Sequence, residues 1–119
     1  LSMQRSERLI YLASPYSHAD PWVREERYQA VLFAAAKLMN ADEIVFCPIA
    51  HSHEIGKRLG RSVDHAFWLR QDQAILEHAS KMVVLTLSGW NLSIGVAAEM
   101  RFAEERGIPI QYLEPGHPS

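Results

Sequence analysis

Two carboxylates interrupt segments of the sequence that are otherwise apolar, and Glu99 is the first. Its neighbours Ala98 and Ala103 are small, and it lies in the early turns of a predicted helix. Burial there favours the neutral acid, whereas the positive end of the helix dipole favours the anion, so the position suits a carboxylate that attacks as a nucleophile. A second interpretation stays open, in which Glu99 lies on the helix surface and pairs with Arg101 or Arg106.

Asp72 is the second carboxylate. Helical spacing places it on the same face as Trp68, Ile75 and Ala79, and it is the one charged residue in that apolar stripe. A carboxylate in that position can accept a proton and return it, provided that its surroundings hold the pKa near the working pH. Alternatively, the stripe is shifted by one residue and Asp72 lies on the rim beside Arg70.

Hydroxyl groups form a further set of candidates near the start of the chain. Tyr11 lies in a predicted strand, where it either fills the core or donates a hydrogen bond that orients a nearby carboxylate. Ser14, Tyr16 and Ser17 follow in a loop before a predicted helix, a geometry that binds small anions such as phosphate. The loop lacks the glycines of a true phosphate loop.

Two histidines and a tryptophan complete the candidate site residues. His51 and His53 form a His-x-His pair, which with Asp64 or His65 would supply nitrogen and oxygen ligands for a metal. Loop histidines more often bind backbone groups or ligand hydroxyls, so we expect both to contact substrate and expect neither a metal nor a cofactor. Trp90 is either a stacking surface for a base or a cover over the core.

The predicted elements bring these residues to one edge of a sheet. The sequence predicts apolar strands over 8–13, 43–49, 81–87 and 108–113, which alternate with helices that begin at Asp20, Val63 and Ile94. The polar stretch 51–60 is predicted to be an irregular loop. This alternation predicts a single domain over 1–119, a Rossmann-like three-layer α/β/α sandwich with a four- to five-stranded parallel sheet. Ligands of such sheets bind beyond the carboxyl ends of the strands, where segments 14–18, 48–53 and 88–93 converge.

Composition excludes several classes of protein. The chain has 119 residues, of which 48% are hydrophobic and 22% charged, which suffices for one core. Its net charge of −2 and scattered basic residues argue against a nucleic-acid polymer as partner. The apolar stretches are shorter than the roughly 20 residues that span a bilayer, so we expect no membrane partner. With the lone Cys47 and no export signal, we expect a cytoplasmic location.

Three segments resemble the nucleoside 2-deoxyribosyltransferase superfamily, which includes nucleotide N-glycosidases: IYLASPY, LRQDQAIL and SIGVAAEMRFAEERGIPI. This resemblance covers nearly the whole chain. More narrowly, YLASPYSH, FCPIAHSH and LSGWNLSIGVAAEM resemble a bacterial branch, the DUF1937 family. The superfamily resemblance implies a Rossmann-like domain in which a glutamate early in a helix attacks the anomeric carbon of a sugar.

The resemblance also implies roles for individual residues. Glu99 matches the nucleophile, Asp72 the aspartate that handles the proton of the base, and Tyr11 the strand tyrosine that orients the nucleophile. Ser93 matches a position that contacts sugar or phosphate. The loop that holds the 5′ phosphate in phosphate-using relatives corresponds here to Ser14, Tyr16 and Ser17.

The resulting prediction is an enzyme that cleaves or transfers the N-glycosidic bond of a small-molecule nucleoside or nucleotide, as hydrolase or transferase. Relatives share sites across subunits, and so small a domain often buries apolar surface in a symmetric contact, so we expect a homo-oligomer. Two alternatives stay open. One is a non-catalytic nucleotide-binding or sensing module on the same fold, and the other is a metal-dependent hydrolase built on His51 and His53.

Overall fold

Four short parallel strands form the sheet that positions the site in this computed structural model, which describes residues 8–60 and 63–116. The elements, in chain order, are β1 (Leu9–Ala13), α1 (Pro21–Asn40), β2 (Ile44–Phe46), α2 (Pro48–Arg58), α3 (His65–Leu76), β3 (Lys81–Leu85), a 3₁₀ turn (Trp90–Leu92), α4 (Ile94–Glu105) and β4 (Ile110–Leu113). Residues 117–119 lie outside the described ranges. Within those ranges, no helix is long and apolar enough to cross a membrane.

The sheet has the order β2-β1-β3-β4, and every neighbouring pair is parallel. Helix α1 covers one face, where Leu12 and Val31 are fully buried. Helices α3 and α4 cover the other face, where Tyr11, Leu76 and Phe102 share a core cluster. Each fully buried side chain of this size contributes about 1.5–3 kcal/mol through removal from water. The predicted Rossmann-like three-layer sandwich is therefore confirmed, with four strands.

The strand order opens a crevice between β1 and β3. From β1 the chain crosses to β2 on one side, whereas from β3 it crosses to β4 on the other side. The connections therefore diverge above the carboxyl ends of β1 and β3, which end at Ala13 and Leu85. Such a switch point is where open parallel sheets bind ligands.

Polar side chains fix the starts of three helices. Asp20 accepts a hydrogen bond from the backbone N–H of Trp22 at 2.9 Å, and Asp64 accepts one from Phe67 at 3.0 Å. Ser93 caps α4 through the N–H of Val96 at 3.2 Å. Each such cap typically stabilises a helix by about 1 kcal/mol. Two of the capped starts, those of α3 and α4, face the crevice.

Two sequence expectations around the second strand are wrong. Segment 51–60 is not an irregular loop, because most of it belongs to α2. The strand expected over 43–49 ends at Phe46, and Pro48 occupies the first turn of α2, where its fixed φ is favourable and its missing N–H costs nothing. β2 is therefore only three residues long, and as an edge strand it is only partly buried.

Candidate active site

A cleft of about 1000 Å³ opens above the carboxyl ends of β1 and β3. Its walls come from the loop after β1, from α2, from α3 and from the start of α4. Seven of the predicted catalytic and substrate-binding residues line it: Ser14, Tyr16, Ser17, His53, Asp72, Ser93 and Glu99. The topology thus brings together residues from four separate segments of the chain.

Glu99 lines this cleft and forms a buried pair with Tyr11, which is not itself part of the cleft lining. Glu99, in the second turn of α4, is 6% exposed, and Tyr11 in the middle of β1 is completely buried. The Tyr11 hydroxyl donates a hydrogen bond to Oε2 of Glu99. The alternative interpretation of Glu99 as a surface residue paired with an arginine is therefore wrong, because its carboxylate points into the protein.

Burial dominates the protonation of this pair. It raises the pKa of Glu99 to about 8, against the hydrogen bond from Tyr11, which lowers that pKa by stabilising the anion. The nearby charge of Asp72 adds to the increase. Burial, and then Glu99, raise the pKa of Tyr11 well above its ordinary value, so Tyr11 remains a donor at every relevant pH. The helix dipole is weak here, since it acts mainly within the first turn.

Asp72 faces the same cleft from α3. Burial raises its pKa to about 6. The buried stripe of α3 continues from Asp72 to Leu76, which is fully buried, whereas Ile75 is 36% exposed. The predicted stripe was therefore correct for Asp72 and wrong for Ile75. Glu99 is the more deeply buried of the two carboxyls, so it holds its proton to a higher pH than Asp72 does.

His53, on α2, is buried in the wall of the cleft. Its Nδ1 lies 2.7 Å from the Tyr16 hydroxyl, and its ring stacks on Tyr28 with centroids 3.8 Å apart. Its Nε2 lies 3.8 Å from a carboxylate oxygen of Glu25. These contacts hold Tyr16 against the cleft. Within residues 8–60 and 63–116, no three His, Cys, Asp or Glu side chains are grouped so that they could hold a metal ion.

Two candidate residues lie away from the cleft. His51 is exposed on α2, and its ring lies 5.6 Å from that of Phe46. It faces away from His53 because residues two apart on a helix do not share a face. Trp90 packs beside Tyr112, with ring centroids 5.4 Å apart, and against the core cluster under α4. Neither residue is part of the cleft lining.

Ser14 has an unusual position in the cleft wall. It is 7% exposed, and its Oγ is the one buried side-chain polar atom without a hydrogen-bond partner among the residues that the structure describes. Buried hydroxyls are nearly always paired, because an unmade hydrogen bond costs free energy. Ser14 is therefore suited to receive its partner from a bound molecule.

Arg24, Lys57 and Trp68 also line the cleft, and sequence reasoning had not placed any of them in the site. Arg24 and Lys57 both act on the pKa of Tyr16, which they lower while burial raises it, so the cationic end of the cleft lies at Tyr16. Helix periodicity from Pro21 could have found Arg24. Lys57 and the surroundings of Trp68 depend on α2, which was expected to be a loop.

Comparison with known families matches most of the chain to one of them. The model of a family described as "Domain of unknown function (DUF1937)" matches residues 8–114, a range that contains every cleft residue named above. A comparison with curated proteins gives no match. Because the match spans nearly the whole chain, this protein belongs to the DUF1937 family.

Proposed function

We propose that this protein cleaves or transfers the N-glycosidic bond of a nucleoside or nucleotide, with Glu99 as the nucleophile. The observation that carries the proposal is the buried Tyr11–Glu99 hydrogen bond, with Asp72 lining the same cleft. The resemblance of these three positions to motifs of nucleoside 2-deoxyribosyltransferases supports it further. A cleft of about 1000 Å³ accommodates a ligand of nucleotide size.

In the first step, the free Oε1 of Glu99 attacks the anomeric carbon as the bond from that carbon to the base nitrogen breaks. The bonding electron pair leaves with the base, and Asp72 transfers its proton to the base. The transition state resembles an oxocarbenium ion, whose positive charge a neighbouring carboxylate stabilises. Tyr11 holds Oε2 of Glu99 and so fixes the direction of attack.

In the second step, water or a second base attacks the anomeric carbon and displaces Glu99. Asp72, now an anion, accepts the proton of the attacking group, which returns both carboxyls to their starting states. Water yields a hydrolase and a second base yields a transferase. The same residues serve both outcomes.

The reaction needs Glu99 ionised and Asp72 protonated. When the two carboxyls hold one proton between them, that proton is more often on Glu99, so the reactive form is the less populated one. Because the pKa of Glu99, about 8, lies above that of Asp72, about 6, only a small fraction of the protein has this arrangement near pH 7. The positive charge that develops on the sugar in the transition state interacts favourably with the Glu99 anion, so it lowers the barrier to reaction from this form. The rate is therefore expected to peak near pH 7, between the two pKa values.

Charge and exposure support two further parts of the proposal. Arg24 and Lys57 at the Tyr16 end of the cleft supply positive charge for a substrate phosphate.

Leu92 and Ile94 at the cleft mouth are 82% and 75% exposed, which supports a homo-oligomer whose partner subunit covers them. Light scattering of the purified protein tests the oligomer. We also propose a cytoplasmic location.

The test is base release from a panel of ribonucleosides, deoxyribonucleosides and their 5′ monophosphates, with and without a free acceptor base, followed by chromatography. Glu99→Gln keeps the size of the side chain and is expected to slow release at least about 1000-fold. Glu104→Gln, at an exposed position of the same helix, is the matched control and should match the unmodified protein. Release from no substrate would contradict the proposal and favour a non-catalytic nucleotide-binding module.

A further inference from the structure

The three tryptophans of the chain lie in different surroundings. Trp22 is 73% exposed and lies outside the cleft, and Trp90 packs beside Tyr112. Trp68 is the one tryptophan that lines the cleft, and it is partly buried there. A ligand in the cleft can therefore meet the indole of Trp68 and not those of the other two.

Trp68 and Asp72 are neighbours on α3. Residues four apart on a helix lie one above the other on the same face, with Cβ atoms about 5–6 Å apart. Both side chains line the cleft. If Asp72 gives its proton to the leaving base, that base must lie within hydrogen-bond reach of Asp72, and hence beside the indole of Trp68.

Neighbouring groups hold the indole in place. A Cβ added to Gly56 of α2 would lie 3.5 Å from Cζ2 of Trp68, so the backbone of α2 closely approaches one edge of the ring. The ring of Phe67 meets it edge to face, with centroids 5.1 Å apart and an angle of 88°. A ring held in this way loses little conformational freedom when a ligand stacks on it.

We propose that Trp68 is the stacking platform for the planar heteroaromatic base of the substrate. The inference rests on the proposed function, because the place of Asp72 in that reaction sets where the base lies. Purines and pyrimidines both offer a flat π face, so stacking selects for a heteroaromatic leaving group without selecting among bases. The sugar then extends from Trp68 toward Glu99, and any phosphate toward Arg24 and Lys57.

Tryptophan fluorescence tests this platform without any turnover. In a Trp22→Phe/Trp90→Phe protein, Trp68 is the sole remaining tryptophan, and titration with adenine, hypoxanthine or uracil is expected to quench its emission saturably. Equilibrium dialysis of the same free bases against Trp68→Leu is expected to show a Kd about 5- to 150-fold weaker. Trp22→Leu is the matched control at an exposed position and should leave the Kd unchanged.

Circular dichroism would detect a folding defect in Trp68→Leu. Trp68→Phe keeps an aromatic face and provides a second test if the leucine variant does not fold. Under the proposal, phenylalanine retains more base affinity than leucine and raises KM for base release more than it lowers kcat. Base affinity that is equal in Trp68→Leu and the unmodified protein would overturn the platform, even if base release is observed. Quenching of Trp68 by free base without base release from any nucleoside would instead overturn the proposed reaction and leave the platform standing.

Discussion

Tyr11→Phe isolates the interaction on which the proposed chemistry depends. The substitution removes one hydroxyl and keeps the ring, which is completely buried against the core. Oε2 of Glu99 then loses its donor inside a site where water has little access. Because that hydrogen bond stabilises the anion, its loss raises the pKa of Glu99 above its value of about 8.

The size of the effect follows from the energy of one charged hydrogen bond. Such bonds are worth about 1.5–3 kcal/mol, which corresponds to roughly 1–2 pKa units. At pH 7 the ionised fraction of Glu99, and with it kcat/KM, should therefore fall about 10- to 100-fold. The alkaline limb of the pH profile should shift by the same 1–2 units to higher pH, and the loss should shrink toward the alkaline end, where Glu99 is ionised in both proteins.

The assay is kcat/KM for base release measured between pH 5 and pH 10 on both proteins. Tyr112→Phe removes a hydroxyl from an exposed tyrosine on β4 and is the matched control, with an expected profile equal to that of the unmodified protein. Thermal melting at each pH verifies that both variants remain folded. A loss of equal size at every pH would refute the reasoning, since it would show that Tyr11 does not act through the ionisation of Glu99.

Three other outcomes follow from the same geometry. Asp72→Asn should slow base release about 100- to 10,000-fold from natural nucleosides, and much less from a riboside whose leaving group needs no proton, as stopped-flow absorbance would show. Glu99→Gln should become more stable relative to the unmodified protein as the pH rises. Folding raises the pKa of Glu99 from 4.5 to about 8, so the unmodified protein has the full stabilisation from neutral Glu99 below about pH 4.5 and loses it as the pH rises to about 8. The relative gain between pH 5 and pH 9 is on the order of 4 kcal/mol in urea unfolding, and a constant difference would contradict it. Ser14→Ala should leave the melting temperature unchanged or higher, because its Oγ has no partner to lose, and should raise KM; an unchanged KM would argue against a ligand contact.

The strands and most helices could be predicted because their local signals are consistent with the fold. Asp20 followed by Pro21 marks the start of α1, and the apolar run KMVVL marks β3. Helix α2 lacked such a signal. Its residues are mostly polar and exposed, and Pro48 at its start also fits the end of a strand, so its helical state depends on packing against α1 and β1.

The site was predictable in part. Glu99 stood out as a carboxylate among small residues, but its partner Tyr11 is 88 positions away and is brought to it by the fold. The difference between His53 in the cleft and His51 outside it depends on the phase of α2. Whether Trp68 or Trp90 lines the cleft likewise depends on the layer in which each lies, and periodicity alone does not decide that.

The most direct test of the central claim is to look for a sugar covalently attached to Glu99. A nucleoside with fluorine at C2′ destabilises the oxocarbenium-like transition state and slows hydrolysis of the intermediate, so the sugar should accumulate on the protein. Peptide mass spectrometry is expected to show the mass of the fluorinated sugar on the peptide that contains Glu99, and none in Glu99→Gln. Attachment to another residue, or release of base from that nucleoside with no adduct after rapid quenching, would contradict the role of Glu99 as nucleophile.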